Sequence, residues 1–453
     1  MTQTKTPERG HSGPPKSRLK KPAAIGDGVQ TELGCLPADW RVDRFDSVFD
    51  VQQGRQVSKG NRVGDNQRPF LRTKNVFWNR LELADLDEMH FSEADESRLA
   101  LKPDDLLICE GGDIGRTAIW HGANSRCYYQ NHLHRARIRD PKTADAQFVL
   151  FWLWYAFEFG RLYFGRGNVT TIPNLSQSKL RELPLAIPPL PEQRKIAGVL
   201  EVVQRAIEQQ ERLLQLTAEL KMTLLHQLFT QGLRGEPQKQ TEIGPVPESW
   251  EVVRLGEVCA LSTGTTPATA RADYYSGDVP FVKTTDIVNN RITKAQTYIS
   301  DQAVIDYRLK LYPPGTVLMA MYGQGKTRGQ VALLEISATT TQNAAAIQPS
   351  SEIDPGFLWQ YFMSRYEHLR SAGALGHISH LNLGYLRDFP IVKPPLLVQG
   401  EIARILVTID KKAMMTQSRK LRLQDLFRTL LHKLMTAQLR VYDLELPNLE
   451  PSS

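Results

Sequence analysis

The sequence predicts an α+β protein. Two similar mixed α/β domains are separated by two long antiparallel coiled-coil helices, related as a pseudo-two-fold internal repeat. Three observations predict this. A block of sequence returns about 210 residues later, a heptad-patterned stretch follows each copy, and only a short linker joins the first stretch to the second block. At 453 residues the chain has room for about three independent cores.

The repeat opens with Thr31-Glu32-Leu33-Gly34-Cys35-Leu36-Pro37-Ala38-Asp39-Trp40, which returns as Thr241-Glu242-Ile243-Gly244-Pro245-Val246-Pro247-Glu248-Ser249-Trp250. It continues with Phe70 to Lys74 against Phe281 to Thr285, Gly115-Arg116-Thr117 against Gly325-Lys326-Thr327, and Gln130-Asn131 against Gln342-Asn343. Leu180 to Pro184 matches Leu386 to Pro390, and each is followed by a Pro-Pro pair. Solenoid units run about 20 to 50 residues, so this period copies a whole domain with its helix.

The elements then fall in order. Residues 1–30 form a tail rich in Gly, Pro, Ser and Thr, with six basic against two acidic residues and no apolar periodicity, and are expected to be disordered. The first domain covers 31–190, with short apolar or alternating runs such as Asp105 to Cys109 and His134 to Ile138 read as strands. A central long helix covers 191–235, the second domain 236–395, a C-terminal long helix 396–440, and a tail 441–453. Ile196, Val203, Leu220 and Leu224 on one helix and Ile402, Ile409, Leu426 and Leu430 on the other are expected to form the coiled-coil interface. Gln210, Thr217, Thr416 and Lys420 interrupt the stripes and could fix register. Because the first helix carries the chain away from the first domain, the second must return to pair with it.

Composition narrows the function. Hydrophobic and charged shares of 41% and 23% are those of an ordinary globular protein, and a net charge of +7 favours a polyanionic partner weakly. Cys35, Cys109, Cys127 and Cys259 show no metal-ligand or disulfide spacing, which fits a reducing cytoplasm, and no metal site is expected. No apolar run follows the early basic residues, so no signal peptide is expected. The most apolar stretch, Phe148 to Gly160, falls short of the roughly 20 residues a bilayer needs and reads as a buried helix.

Catalytic readings fare poorly. Met321 to Thr327 resembles the end of a phosphate-binding loop, but Ala320 stands where its first glycine belongs, and the other copy has Arg116 for the lysine. A glycine-rich turn offering one cation to a phosphate backbone, or a plain hairpin turn, explains it better. Asp104, Asp105 and Glu110 lack the Glu-x-Lys of a nuclease, and no methyltransferase cofactor loop or Asn/Asp-Pro-Pro-aromatic motif is present. No catalytic residue is expected.

Binding chemistry remains. Arg72, Lys74, Asn75 and Trp78 and, in the second copy, Lys283, Thr285 and Asp286 are types that contact phosphates and bases. Gly115-Arg116 and Gly325-Lys326 present cations on turns. Gln130, Asn131, Gln342 and Asn343 are amides that could bridge adenine edges, although amides also cap turns. Arg166 and Asn168, and His377 and His380, sit in polar loops and complete the candidates.

Together with the duplication, the Glu-Leu/Ile-Gly-x-x-Pro-x-x-Trp openings and Leu183-Pro184-Leu185-Ala186-Ile187-Pro188-Pro189-Leu190-Pro191-Glu192-Gln193-Arg194-Lys195-Ile196 resemble the specificity subunit of a type I restriction-modification enzyme. The resemblance covers residues 31 to about 440; the second copy loses the Pro-Glu-Gln-Arg run but keeps Gln399 and Ile402. It implies two target recognition domains, each reading half of a bipartite double-stranded DNA site, with the coiled coil setting the gap. It also implies two docked modification subunits, restriction subunits, and S-adenosylmethionine, ATP and Mg bound by those partners rather than by this chain. A related bipartite-site system that cuts on both sides or only methylates is the nearest alternative. A coiled-coil scaffold and a self-sufficient methyltransferase are the others.

Overall fold

A computed structural model describes residues 28–122, 126–163, 174–323, 326–372 and 381–443. The expected tails at 1–30 and 441–453 lie almost wholly outside the described residues. The chain divides into two compact units, residues 1–208 with 421–453, and 209–420. Each unit is therefore one sheet domain together with part of each long helix.

In the first unit a four-stranded antiparallel sheet runs in the order Thr117–Trp120, Asp105–Cys109, Leu133–Ile138, Phe49–Gln53. The strand Asp105–Cys109 is buried throughout because both its faces are covered. Leu106 and Ile108 join one core, while Leu107 and Cys109 point the other way into a second. The first core packs on helix α1 (Ala146–Trp154), capped by Asp145 and continued by a π-helical turn, Tyr155–Phe159. The second packs on a three-stranded sheet of Tyr128–Tyr129, Gln67–Leu71 and Asp87–His90. Helix α2 (Leu190–Thr230) then carries the chain into the second unit.

The second unit repeats this plan. Its sheet runs Cys259–Thr263, Ala344–Pro349, Val317–Ala320, Val331–Leu334, and gains a parallel edge strand, Asn290–Ile292. Val317 and Met319 face helix α3 (Pro355–Ser364), and Leu318 and Ala320 face the opposite core. Helix α4 (Leu396–Met435) ends the repeat. The apolar run read as a buried helix is α1, sheathed by the sheet on one side and by α4 through Phe151 and Phe427 on the other. Among the described residues no helix is long and apolar enough to cross a membrane.

Both long helices start immediately after a Pro-Pro pair, where a missing N–H costs nothing. One buried glutamine fixes each start. Gln193 accepts from Asp145 N (2.9 Å) and donates to Thr143 O (3.1 Å) and Pro188 O (2.8 Å). Gln399 does the same with Asp354 N, Glu352 O and Pro394 O, at 2.8, 3.0 and 2.8 Å. Asp145 and Asp354 are themselves the caps of α1 and α3, so each glutamine ties the domain helix to the long helix.

Within the first unit, Ile196, Leu200 and Val203 of α2 share a core with Phe427, Leu431 and Leu434 of α4; within the second, Leu225 and Leu228 meet Ile402 and Leu406. The ion pairs Glu211–Lys420 (2.9 Å) and Lys221–Asp410 (2.6 Å) run in opposite senses along the two helices, so the pair is antiparallel. Leu224, Ile409 and Leu430 are half-buried. Two expected interface positions need correction: Leu220 is 52% and Leu426 45% exposed. A 3.6-residue helix drifts about 20° per heptad against a straight seam, so Thr217, Lys221 and Phe427 occupy it instead. Thr217 and Thr416 are buried with their hydroxyls returned to Leu213 O and Lys412 O.

Gln193→Ala should remove about 2–3 kcal/mol of stability by stranding buried backbone groups. Gln193→Glu, which sets a buried carboxylate against the Thr143 and Pro188 carbonyls, should lose at least as much. Denaturant unfolding of the full chain measures both, and no loss in either variant would refute the clamp.

Candidate nucleic-acid interface

The turn after Gln67–Leu71 gathers the first candidates. Asn75 is buried; its Oδ1 accepts from Arg72 N (2.9 Å) and its Nδ2 donates to Glu82 O and Asp85 O. Its counterpart Asp286, also buried, accepts from Lys283 N (2.9 Å). Both were expected to face a ligand; Asn75 instead uses both its polar atoms, and Asp286 one carboxylate oxygen, to hold the same turn. Arg72 pairs with Asp87 (2.7 Å), and Lys74 with Asp85 and Asp87. The Arg72 guanidinium holds the Asp87 carboxyl below its usual range, and Asp85 and Asp87 raise Lys74. Lys283 and Thr285 are exposed.

Trp78 also departs from expectation. Its ring lies parallel to Trp154 at 5.4 Å, with Nε1 donating to Glu158 (3.3 Å), and Trp154 in turn meets Phe427. Trp78 thus has one ring face covered by Trp154, and it is Trp154 that reaches α4. Arg116 is similarly engaged: it pairs with Asp113, donates to Thr73 O (2.8 Å) and lies 5.0 Å over Phe77. Gly115 has φ +80, and a Cβ there would fall 2.4 Å from Phe157. Lys326 is exposed, and its carbonyl accepts from Tyr366 OH (2.6 Å). Arg166, Asn168, Gly325, His377 and His380 lie outside the described residues.

The stretch that resembled a phosphate loop joins Val317–Ala320 to Val331–Leu334, an antiparallel pair. A phosphate-binding loop would instead open a helix. Asp105 is fully buried and held bidentately by Arg137, at 2.7 and 2.6 Å, which removes it from any nuclease reading. Among the described residues no group of three or more His, Cys, Asp or Glu could hold a metal. Burial pushes the thiols of Cys109 up to about 11 and of Cys127 and Cys259 to about 12, so these cysteines stay protonated.

The amide turns lie where the three-stranded sheet hands over to the core sheet. Strand register aligns Tyr129 with Thr340, through Leu71 and Val282, and Leu133 with Ala344, through Cys109 and Ala320. Asn131 thus corresponds to Gln342 and His132 to Asn343, a shift of one from the Gln-Asn echo in the sequence. Gln130 is buried, Asn131 and Asn343 are half-buried, and Gln342 is exposed and accepts from Thr266 Oγ1 (2.6 Å).

Sequence reasoning missed Gly54 and Gly264. A Cβ on either would fall 2.2 Å from Gln130 O or 1.7 Å from Thr340 O, so only glycine lets the next loop cross the turn. Their shared spacing of about 210 residues was the available signal. In the first unit that loop carries exposed Lys59 and Arg62, steadied by Arg55, which pairs with Asp95 and donates to Asn61 (3.0 Å).

A second missed group is Arg440. It reaches Glu192 (2.7 and 2.8 Å) and Asp39 (3.2 and 2.7 Å), and Trp40 Nε1 donates to the same buried Glu192. In the second unit Val398 and Ser249 replace the acids, and Trp250 Nε1 is buried without a partner among the described residues. The signal was the matching Leu233-Arg234 and Leu439-Arg440 that follow the two helices.

Two copies of a sheet domain, each clamped to a pair of long helices and carrying cations and amides on exposed turns, define a duplicated recognition protein. The family described as type I restriction modification DNA specificity domain matches residues 37–218 and again 247–425, so the chain belongs to that family. The MjaIX specificity subunit of Methanocaldococcus jannaschii is 22% identical, over 92% of this chain and 97% of its own length. The EcoR124I/EcoR124II specificity subunit of Escherichia coli is 25% identical over 53% of this chain and 57% of its own. The solved S subunit from M. genitalium shares the fold with a TM-score of 0.56 and 16% identity, over 87% of this chain and 96% of its own.

The Asp39 carboxyl is held below its usual range by its bonds to Arg440. That contribution is present above about pH 4 and is lost as pH falls through the depressed value. Arg440→Met should therefore lower stability at pH 7 by about 3 kcal/mol, largely by leaving the buried Glu192 carboxylate without its counter-charge, held by Trp40 Nε1. The gap from wild type should narrow towards pH 3 as Asp39 takes up a proton and its bond to Arg440 is lost. Unfolding at both pH values checks this; an equal gap would refute it.

Proposed function

We propose that this chain gives a type I restriction-modification complex its sequence specificity, each unit reading one half of a bipartite double-stranded DNA site. The carrying observation is the double match to one DNA specificity family by two units that share a frame and differ in their turns. Recognition falls within residues 31–190 and 236–395, and the helical stretches 191–235 and 396–440 set the gap. Two modification subunits dock on these helices and bring S-adenosylmethionine, while restriction subunits bring ATP and Mg. Exposed apolar side chains along the helices of the second unit, Leu220, Met414 at 72% and Met415 at 71% among them, support such docking. The chain itself contributes recognition, and the complex works in the cytoplasm.

Lys59, Arg62, Lys283, Thr285 and Lys326, with Gln342 and Asn343, are the contacts best supported by exposure and chemistry. Arg166, Asn168, Gly325, His377 and His380 stay candidates on sequence alone, and the tail at 1–30 adds a basic approach to DNA.

Inserting one heptad into α2 and the facing stretch of α4 should lengthen the gap between the half-sites and leave both halves unchanged. Methylome sequencing of the active complex reads this directly, and an unaltered gap would refute the ruler. Lys283→Ala and Lys326→Ala should weaken binding about equally on all sequences and flatten its salt dependence. Binding titrations at several salt concentrations would show instead a sequence-dependent loss if these lysines read bases.

A further inference from the structure

The duplication supplies an internal comparison at Glu110, the residue that follows the central strand Asp105–Cys109. Its backbone is bound as that of Met321 is bound in the second unit. Glu110 N donates to His132 O (2.9 Å) and its carbonyl accepts from Leu175 N (2.8 Å). Met321 N donates to Asn343 O (3.0 Å) and its carbonyl accepts from Leu381 N (3.1 Å). One frame therefore holds a carboxylate in one unit and a thioether in the other. Both residues are nearly buried, Glu110 at 9% and Met321 at 4% exposed.

Burying a carboxylate costs solvation energy that an apolar side chain does not forfeit, and the second unit shows that the fold closes without it. Nor do its neighbours repay the cost. The contacts reaching its Oε2, from Gln53 Nε2 and His132 Nδ1, are both 3.4 Å, well beyond the 2.7–2.9 Å typical of a charge-assisted bond. His132 is 59% exposed in its side chain. The two residues that follow, Gly111 and Gly112, have no described residue beyond their chain neighbours within 4 Å of where their Cβ atoms would be. Among the described residues the carboxylate is thus held close to the surface and short of donors, beside a place where a ligand can approach. Gln53 and His132 are replaced by Thr263 and Asn343, so the polar group around it is peculiar to the first unit.

We infer that Glu110 is a specificity-determining residue: its carboxylate accepts a hydrogen bond from the exocyclic amine of one cytosine or adenine in the half-site read by the first unit. Near phosphates a carboxylate is repelled, so it is useful there only where it meets a donor on a base edge. This rests on the recognition role proposed above.

The test is the methylome of the intact complex carrying Glu110→Met or Glu110→Leu, neither of which offers an oxygen acceptor, with thermal unfolding of the same chains. Loss of the acceptor should cut discrimination at one base pair, in one half-site, by about tenfold, and leave the other half as it was. A change from cytosine or from adenine identifies which amine is read. Glu110→Met should melt at or above the wild-type temperature, because the other unit accommodates methionine at this position. An unchanged motif, or a fall in melting temperature by many degrees with no change in the motif, would overturn the inference and leave two-half recognition standing. A wild-type complex whose methylated motif is not bipartite would instead remove the recognition role itself.

Discussion

A helix of forty residues with one apolar stripe cannot be covered by a single small domain, and this constraint organises both units. Each unit buries one stretch of α2 against one stretch of α4, and presses the domain's own helix onto the pair. Each large side chain so buried contributes about 1.5–3 kcal/mol. The ion pairs along the seam add little, being partly exposed. Their opposite order, with the self-satisfied Thr217 and Thr416, fixes direction and register. Gln193 and Gln399 then convert a non-directional apolar contact into a defined angle between domain and helix, because three hydrogen bonds to fixed backbone groups admit one geometry.

The two units share this frame and differ in how they fill it. Phe151 and Phe427 meet edge to face in the first unit. At the matching place in the second, Gln360 donates to Asp410 (2.8 Å), which pairs with Lys221. The Arg440–Glu192–Asp39 group has no counterpart, since Val398 and Ser249 stand in place of the acids. The same separation of frame from filling holds at the turns: Gly54 and Gly264 permit the same close crossing, while Gln53, Glu110 and His132 face Thr263, Met321 and Asn343 across the comparison.

Much of the architecture was legible in the sequence because it is written in local patterns. Heptad spacing marked both long helices, the Pro-Pro pairs marked their starts, and the echo of motifs marked the duplication. The apolar run at Phe148 announced a buried helix through composition alone. The candidate interface was read less well. Asn75, Asp286 and Trp78 have the right chemistry for a ligand but are used internally, and Leu220 and Leu426 lie on the flank of the seam. The Gln-Asn echo is displaced by one residue once strand register is known.

The sequence by itself determined that there are two copies, that each ends in a long amphipathic helix, and which residue types crowd the turns, since periodicity and repetition are properties of neighbours along the chain. Only the tertiary structure decided which of those side chains are free to meet a partner. Whether Arg72 finds Asp87, Trp78 finds Trp154, or Glu110 finds only 3.4 Å partners among the described residues depends on groups brought together from distant parts of the chain. A group whose bonds are all made inside the fold has none left to offer outside it, whereas one that keeps a lone pair, an N–H or a ring face still does.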